Sequence, residues 1–235
     1  MHLSRCKNAT EPVKPRDCAL VFAFPVTERA FLAEVGSNSK EFLGKYRYWG
    51  KYYTEFVWHY ASVTSEISRL GTLVQCCLTT EQFANLFTEG KFRAITLFAH
   101  WKEEDLWDSY TGGSSVCPDP YDELQSAVEF FDRFERVPEV VRAVPSNFDG
   151  VLDLCVCHPK ALVSALRRER PDCIVKYTNV SATPALWLYF YVSLFKLLAR
   201  EETDYVSALF ATLKRFSARG LSLTVSPGDE RVRTT

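Results

Sequence analysis

The sequence predicts an all-α protein, a helical bundle around one central buried helix, with additional helices at its C-terminal end. Three observations predict this fold class. Residues 91–107 are apolar on most sides of a helix, as in a helix at the centre of a core. Aromatic side chains between residues 42 and 60 recur at steps of four and three, the spacing of one helical face. About seven or eight helical segments stand against at most two short strands.

Length and charge limit the class of protein. The chain has 235 residues, of which 47% are hydrophobic, enough for one large domain or for a domain with an appendage. The net charge is −1 and the pI about 6.4. Because nucleic-acid-binding domains carry a strongly basic surface, no nucleic-acid partner is expected. The first 17 residues contain no hydrophobic segment of the secretory kind, so an intracellular protein is expected.

The first half of the chain is predicted in order as follows. The apolar run 18–26 is interpreted as a strand or a buried extended segment that Pro25 interrupts. A short helix over 28–35 ends at Gly36. A longer helix begins at Ser39, and a further helical segment covers 64–78. The aromatic face of the longer helix consists of Phe42, Tyr46, Trp49, Tyr53, Phe56 and Tyr60.

The central stretch has the clearest local signals. Thr79 and Gln82 have the spacing of a capping box at the start of a helix. Gly90 stands where a left-handed residue would end that helix. The central helix, 91–107, then follows. On it, one polar stripe is expected from Arg93, Thr96 and His100.

The second half of the chain is predicted to add helices over 121–136, 160–170, 185–200 and 204–216, with a lone strand at 173–177. The apolar segment 185–199 resembles a membrane span in composition but is too short for one. It is about 15 residues long and contains Lys196, whereas a span needs about 20 apolar residues. We therefore expect a buried helix and no stable membrane span. From Ser217 onward the chain is a polar tail.

Motifs that carry chemistry are scarce. The chain contains no G-x-S-x-G, no phosphate-binding glycine loop and no H-E-x-x-H. Eight cysteines include no C-x-x-C, and the tightest cluster, Cys155, Cys157 and His158, is too short and incomplete for a structural zinc site. We expect reduced thiols, no metal and no cofactor. A nucleophilic Cys–His pair brought together by folding stays open, because sequence alone cannot place it.

One segment resembles a known family. Residues 81–101, EQFANLFTEGKFRAITLFAHW, resemble the first homology region of the Bcl-two family of apoptosis regulators. In that family a helix ends in E-L-F-x-D-G, and a core helix begins with N-W-G-R. Leu86, Phe87 and Gly90 follow the first half, and Arg93 matches the family arginine. The N-W-G triplet is absent, as it is in divergent viral members, so the resemblance suggests a viral protein.

The resemblance implies a function. Proteins of this family bind an amphipathic helix of a partner in an apolar groove. Here the implied partner is a host protein that carries such a death-domain-type helix, and the implied compartment is the host cytoplasm, with the nucleus or the mitochondrial periphery as further locations. No enzymatic activity is implied. The residues implied at the groove are Arg93, Phe83, Phe87, Leu97, Tyr53 and Phe56.

The predicted organisation has four parts: an N-terminal arm at 1–26, a Bcl-two-like helical core at 27–158, additional helices at 159–216, and a tail at 217–235. Two other functions remain open. The protein could be a viral adaptor that binds a host factor through another surface of the same fold. It could also be an enzyme whose site the sequence does not reveal, and convergent polar groups in a pocket would then distinguish it.

Overall fold

A mostly parallel β-sheet of eight strands forms the centre of the protein. The computed structural model describes residues 11–24, 26, 59–88, 90–103, 126–156, 159–179, 184–218 and 224–225. The strands are β1 (Cys18–Phe22), β2 (Leu73–Gln75), β3 (Ala94–Glu103), β4 (Ser126–Glu129), β5 (Phe134–Arg136), β6 (Val151–Val156), β7 (Ile174–Asn179) and β8 (Thr224–Val225). The helices are α1 (described over 59–69), α2 (Thr80–Thr88), α3 (Val137–Ala143), α4 (Lys160–Glu169), α5 (Pro184–Arg200) and α6 (Tyr205–Ser217).

The strands follow one another across the sheet in the order β2-β1-β3-β6-β7-β8. All neighbouring pairs from β2 to β7 are parallel, and β8 is antiparallel to β7. The hairpin of β4 and β5 continues the sheet beside the second half of β3, in antiparallel pairing. Taken alone, the five parallel strands have the order 2-1-3-4-5, which is a doubly wound α/β arrangement.

Helices cover both faces of the sheet. We call the two the first face and the second face. On the first face, α1, α5 and α6 pack on alternate strand residues such as Leu20 and Phe98. On the second face, α2, α3 and α4 pack on the other set, such as Ile95 and Leu97. Each face therefore has its own hydrophobic core, and the central strands are buried on both sides.

The prediction of an all-α bundle is wrong. Residues 94–103 form β3 instead of a central helix, and Ala94 to Ala99 are all buried. A central parallel strand has covered faces on both sides, so it reads as a continuous apolar run. A buried helix gives the same reading, and periodicity alone cannot separate the two. Thr96 and His100 lie on the first face because strand side chains alternate with a period of two, whereas Arg93 precedes the strand.

Two other predicted helices are also corrected. Within 121–136, the described residues form β4 and β5, so a helix there is wrong. Within 64–78, the helix ends at Arg69 and β2 follows, with Gly71 at a φ of 100° between them. The limit of two short strands is wrong as well, because the sheet has eight. The predicted helix over 28–35 lies outside the described residues, and so does the longer predicted helix from Ser39 up to residue 58. Its last aromatic residue, Tyr60, lies in α1.

Elements with strong local signals are confirmed. The capping box of α2 forms, because Thr79 N–H donates to Gln82 Oε1 at 3.0 Å and Gln82 N–H donates to Thr79 Oγ1 at 3.2 Å. Gly90 has a φ of 59°. The predicted elements β1, α4, β7, α5 and α6 are all present. Among the described residues, no helix is long and apolar enough to cross a membrane. Strands of one sheet come from both predicted segments 27–158 and 159–216, since β6 pairs with β7.

Candidate active site

The strand order defines where a ligand would bind. From β1 the chain moves to one side of the sheet to form β2, and it then returns to form β3 on the other side of β1. In doubly wound sheets, ligands bind beyond the carboxyl ends of the strands where this reversal occurs. The position to inspect is therefore the carboxyl end of β1 and β3. We call it the carboxyl edge.

Backbone hydrogen bonds join the chain segments at the carboxyl edge. Ala23 N–H donates to the Phe98 carbonyl at 2.8 Å, and Leu78 N–H donates to the Phe22 carbonyl at 3.0 Å. Cys77, which follows β2, has a φ of 54°. Such a left-handed conformation is uncommon for a residue other than glycine. The segments after β1 and β2 are thus held next to β3 by their backbones.

His100 is the polar side chain that β3 presents at this edge. It is half-buried, in contrast to the fully covered residues before it. Its imidazole stacks on the ring of Phe24, with ring centroids 4.9 Å apart and planes at 30°. Phe24 in turn contacts Phe22, which stacks on Phe98 in the core of the first face. One face of the imidazole therefore packs on Phe24, and the contacts of Phe24 continue through Phe22 into the core of the first face.

The β4–β5 hairpin stands beside His100. In the antiparallel register, His100 is directly opposite Glu129 and Trp101 is opposite Val128. The turn of the hairpin is bonded to the start of α2: Phe131 N–H donates to the Leu78 carbonyl at 3.0 Å, and Thr80 N–H donates to Asp132 Oδ1 at 2.9 Å. These bonds connect the hairpin to the sheet at a second point, away from its pairing with β3.

The carboxyl end of β6 is next to that of β3. Ala99 of β3 pairs with Val156 of β6. In the sequence, His100 follows Ala99 and Cys157 follows Val156. Cys157 and His158 lie outside the described residues.

A second polar group of side chains lies deeper on the first face. We call it the buried row. Asp153 Oδ2 accepts hydrogen bonds from the hydroxyls of Tyr191 at 2.9 Å and Tyr205 at 3.0 Å. Behind them, the Thr96 hydroxyl lies 2.7 Å from the Tyr205 oxygen and the Cys155 thiol 2.9 Å from the Tyr191 oxygen. Because both tyrosines donate to Asp153, the Thr96 and Cys155 hydrogens are directed toward them.

Burial controls the ionisation of the buried row. It raises the pKa of Asp153 to about 6, although the two tyrosine hydrogen bonds and the nearby Lys176 act in the opposite direction. Burial, and then the charge of Asp153, raises the pKa of Tyr191 and Tyr205 well above 10. These groups have essentially no contact with solvent. With no access for a substrate, the buried row connects the sheet to α5 and α6 and does not form a reaction site.

The residues predicted for a partner-binding groove are found in different surroundings. Phe83, Phe87 and Leu97 belong to the buried core of the second face, where the rings of Phe83 and Phe87 are 5.2 Å apart. Arg93 is at the opposite, amino end of β3. Tyr53 and Phe56 lie outside the described residues. The structure thus brings three of the six together, in the core, and separates Arg93 from them.

Arg93 forms contacts with the N-terminal segment. Its Nη1 donates to the Pro12 carbonyl at 3.0 Å, and its Nη2 is 3.2 Å from Glu11 Oε2. Beside it is a shallow depression of about 320 Å³, which includes Phe92 and Asp149 among its lining residues. No described side chain of the depression is a nucleophile with a nearby base. The depression also lies at the amino ends of the strands, where doubly wound sheets do not bind their ligands.

Metal and disulfide chemistry has no support in the described part of the chain. No three side chains of His, Cys, Asp or Glu are grouped as a metal site there. The described cysteines, Cys18, Cys76, Cys77, Cys155 and Cys173, are all free thiols. Comparison with known proteins finds no family model that matches the chain and no curated protein with significant similarity. The site therefore has to be interpreted from its own geometry.

The sequence predicts His100 on a polar stripe of a central helix, which misses its position at the end of a strand. A signal was present, however. Two largely apolar runs, 94–99 and 151–156, are each followed by a residue type that can act in catalysis, His100 in the first case and Cys157 in the second. Had both runs been read as neighbouring parallel strands, those residues would have been expected at the same edge of the sheet.

Proposed function

We propose that the protein is a cysteine hydrolase that cleaves an acyl substrate, with Cys157 as the nucleophile and His100 as the general base. The observation that supports this proposal most is the pairing of Ala99 with Val156 in parallel strands. It sets the ends of the two strands that precede His100 and Cys157 in the sequence side by side, beside the crossover point of a doubly wound sheet. The proposal takes up the Cys–His pair that the sequence left open.

The residue types suit this chemistry. A thiolate is the strong nucleophile of a cysteine, and a nearby histidine activates it by accepting the proton. In one class of cysteine proteases the base histidine precedes the nucleophile by about 50 residues in the chain. His100 and Cys157 have this order and roughly this spacing. The half-buried imidazole is also accessible, unlike the buried row.

The reaction proceeds in two balanced steps. His100 accepts the thiol proton, and the Cys157 sulfur attacks the acyl carbon to form a C–S bond. The bond to the leaving amine or alcohol breaks, and the leaving group takes the proton from the His100 imidazolium. In the second step His100 accepts a proton from water as the hydroxide attacks the thioester. The acid product leaves, and the thiolate recovers the proton.

The first experiment measures the reactivity of Cys157 in the full-length protein. Iodoacetamide labelling is followed by peptide mass spectrometry between pH 5 and 10. We expect Cys157 to react with an apparent pKa below the ordinary value of about 8.5, because an imidazolium beside it stabilises the thiolate. In His100→Ala the apparent pKa should return toward 8.5. Cys155→Ser is the matched control, since Cys155 is two residues earlier in the sequence and buried.

The second experiment measures hydrolysis directly with a positional-scanning library of fluorogenic peptide amides and a set of aryl esters. We expect turnover of at least one substrate class by the wild type, loss of turnover in Cys157→Ala, and retained turnover in Cys155→Ser. An ordinary Cys157 pKa that is indifferent to His100→Ala would contradict the pairing. Turnover that persists in Cys157→Ala would place the chemistry elsewhere.

The function implied by the family resemblance stays a prediction. No comparison bears on the Bcl-two family, on a viral source, on a host partner or on the compartment. The three predicted groove residues in the described second-face core are Phe83, Phe87 and Leu97, which are 0%, 7% and 0% exposed. No contact of the described residues favours helix binding, whereas the register at His100 favours a hydrolase. Titration with death-domain-type helical peptides still tests that prediction independently.

A further inference from the structure

Two consecutive cysteines, Cys76 and Cys77, follow β2 at the carboxyl edge of the sheet. Both are half-buried, and neither is part of a disulfide. The other cysteines in the described part of the chain, Cys18, Cys155 and Cys173, are 0%, 4% and 6% exposed. An oxidant in solution reacts with a thiol according to its exposure. Among the described cysteines, it therefore reaches Cys76 and Cys77 best.

The two thiols lie near the same hydroxyl group, that of Tyr60. The side chain of Cys76 is hydrogen-bonded to this hydroxyl. Burial raises the pKa of Tyr60 most, and the charges of Cys76 and Cys77 raise it further. A charge acts in this way only over a short distance. The ring of Tyr60 packs on Phe22, with ring centroids 5.2 Å apart, so the hydroxyl is held at the first face. Cys76 and Cys77 therefore share a neighbour in the fold as well as a peptide bond.

We propose that Cys76 and Cys77 form a redox modification site, at which hydrogen peroxide joins the two sulfurs in a disulfide. One thiol attacks the peroxide, so that an S–O bond forms, the O–O bond breaks and one water leaves. The second thiol attacks the sulfenic sulfur, the S–S bond forms, and the S–O bond breaks to release another water. The two thiols lose two electrons in total, and the peroxide is reduced to two waters. Cys157 has no part in this chemistry, so the site is independent of the proposed hydrolase.

The spacing of the two residues makes the modification reversible. A trans peptide bond sets their Cα atoms about 3.8 Å apart, below the usual range of about 4.4–6.8 Å for a disulfide. A disulfide between them is therefore strained, and strained disulfides are reduced easily. A dithiol reductant returns both thiols by exchange and is itself oxidised to a disulfide.

Closure of this disulfide should change the carboxyl edge. Cys77 has a left-handed φ of 54°, and its N–H donates to the Phe24 carbonyl at 3.4 Å, whereas Leu78 N–H donates to the Phe22 carbonyl at 3.0 Å. The longer bond is the weaker one, so movement of the Cys77 backbone should break it first. Because the Phe24 ring stacks on His100, we expect oxidation to alter the surroundings of that imidazole.

The test treats the reduced, full-length protein with increasing concentrations of hydrogen peroxide and then blocks the remaining thiols with N-ethylmaleimide. Trypsin cleaves after Arg69 and Lys91, so both cysteines fall in one peptide, 70–91, which contains no other cysteine. A disulfide of this pair then appears in mass spectrometry as the unlabelled peptide with two hydrogens lost. Nitrogen-15 NMR of His100, before and after oxidation, is the second readout.

We expect half of the peptide 70–91 to carry the disulfide at a peroxide concentration at least tenfold below the one that oxidises Cys173. Dithiothreitol should restore both thiols. In Cys76→Ser and Cys77→Ser no second thiol is present to react, so sulfenic acid trapped by dimedone on the remaining cysteine should rise several-fold. Cys173→Ser is the matched control and should change none of these results, because it removes a buried thiol. The His100 resonances should shift on oxidation and return on reduction.

The wild type alone can overturn the proposal, so the result does not depend on the folding of a variant. If peroxide leaves both thiols of 70–91 intact, or adds oxygen atoms that dithiothreitol does not remove, Cys76 and Cys77 are not a reversible site. A disulfide from either one to a cysteine of another peptide would equally reject the pair. If the pair closes but the His100 resonances do not shift, the expected effect on the carboxyl edge is wrong.

Discussion

Two polar groups of side chains lie on the same face of the sheet, about 13 Å apart along β3, and differ in their access to solvent. The buried row around Asp153 is covered by α5 and α6, and its donors converge on one carboxylate oxygen. The group at the carboxyl edge, with His100 stacked on Phe24, lies where that cover ends. Both contain the residue types that catalyse reactions.

The difference shows that residue type alone does not identify a site. Asp153 has a shifted pKa and two tyrosine partners, and both features are common in active sites. Its burial, however, excludes a substrate, so the same interactions connect elements instead. His100 stands at the edge where strands end. The two groups should therefore respond oppositely to mutation, the buried row through stability and the edge through turnover.

The largest effect is expected at the edge. His100→Ala should reduce turnover about 100- to 10,000-fold, because it removes a general base. The free energy of unfolding should change by less than about 1 kcal/mol, because the side chain is only half-buried. Hydrolysis assays and urea denaturation on the same preparation measure both quantities. If turnover were lost only because the variant unfolds, the predicted difference between the carboxyl edge and the buried row would not exist.

The pH dependence of the buried row comes next. Asp153 has a pKa of about 6 when folded, against 3.8 for the ordinary group. The folded protein then holds a proton that the unfolded chain releases, so the contribution of Asp153 to stability is largest below about pH 4 and falls as the pH rises to about 6. The loss reaches about 3 kcal/mol at most.

Asp153→Asn should flatten this dependence, because the side chain no longer titrates. Urea denaturation from pH 4 to 7 measures it, with His100→Gln as the control for other titrating groups near the sheet. If wild type and Asp153→Asn kept parallel curves across this range, Asp153 would not be the group that titrates.

A smaller effect on stability is expected from Tyr205→Phe. The change removes one of the two donors to Asp153 and the oxygen beside the Thr96 hydroxyl. Leaving buried polar groups without partners costs about 1–3 kcal/mol. Turnover per folded molecule should be unchanged, which differential scanning calorimetry and active-site titration together can establish. A selective loss of turnover would mean that the two groups are coupled through β3.

The smallest effect is expected from Phe24→Leu. Leucine keeps most of the apolar contact with Phe22 but removes the flat surface under the imidazole. Aromatic contacts of this kind contribute about 0.5–1.5 kcal/mol, so we expect a modest loss of stability and a several-fold decrease in kcat. Phe131→Leu, an exposed ring of the hairpin turn, is the matched control. Unchanged kcat in Phe24→Leu would show that the stack has no part in orienting the ring.

The sequence predicted those elements that have strong local signals, such as caps and amphipathic faces. The capping box at Thr79, the proline-led α4 and the amphipathic α6 needed no knowledge of distant contacts. The sequence did not predict β3 and β6, because both central strands and buried helices consist of runs that are apolar on every side. The hairpin of β4 and β5 was missed for a related reason, since its apolar residues also satisfy a helical period.

The candidate site depended on those missed strands. The sequence already contained both residues of the proposed pair, His100 and Cys157, but only the parallel pairing of β3 with β6 suggests that they are close. The hairpin beside His100 gave even less signal. Its position opposite His100 exists only in the register of an antiparallel pair, and register depends on contacts between distant parts of the chain.

The strands at the two ends of the sheet path have a consequence for how this protein behaves in concentrated solution. β2 has three residues and β8 has two, so each offers few open backbone donors and acceptors to another molecule. Long exposed edges invite strand addition and aggregation, and very short ones resist it. Both strands at the ends of this path are therefore poor templates for further strands, and β5, at the outer side of the hairpin, has only three residues as well. Within the part of the chain that is described, these short edges favour separate molecules over ordered assemblies built through the sheet.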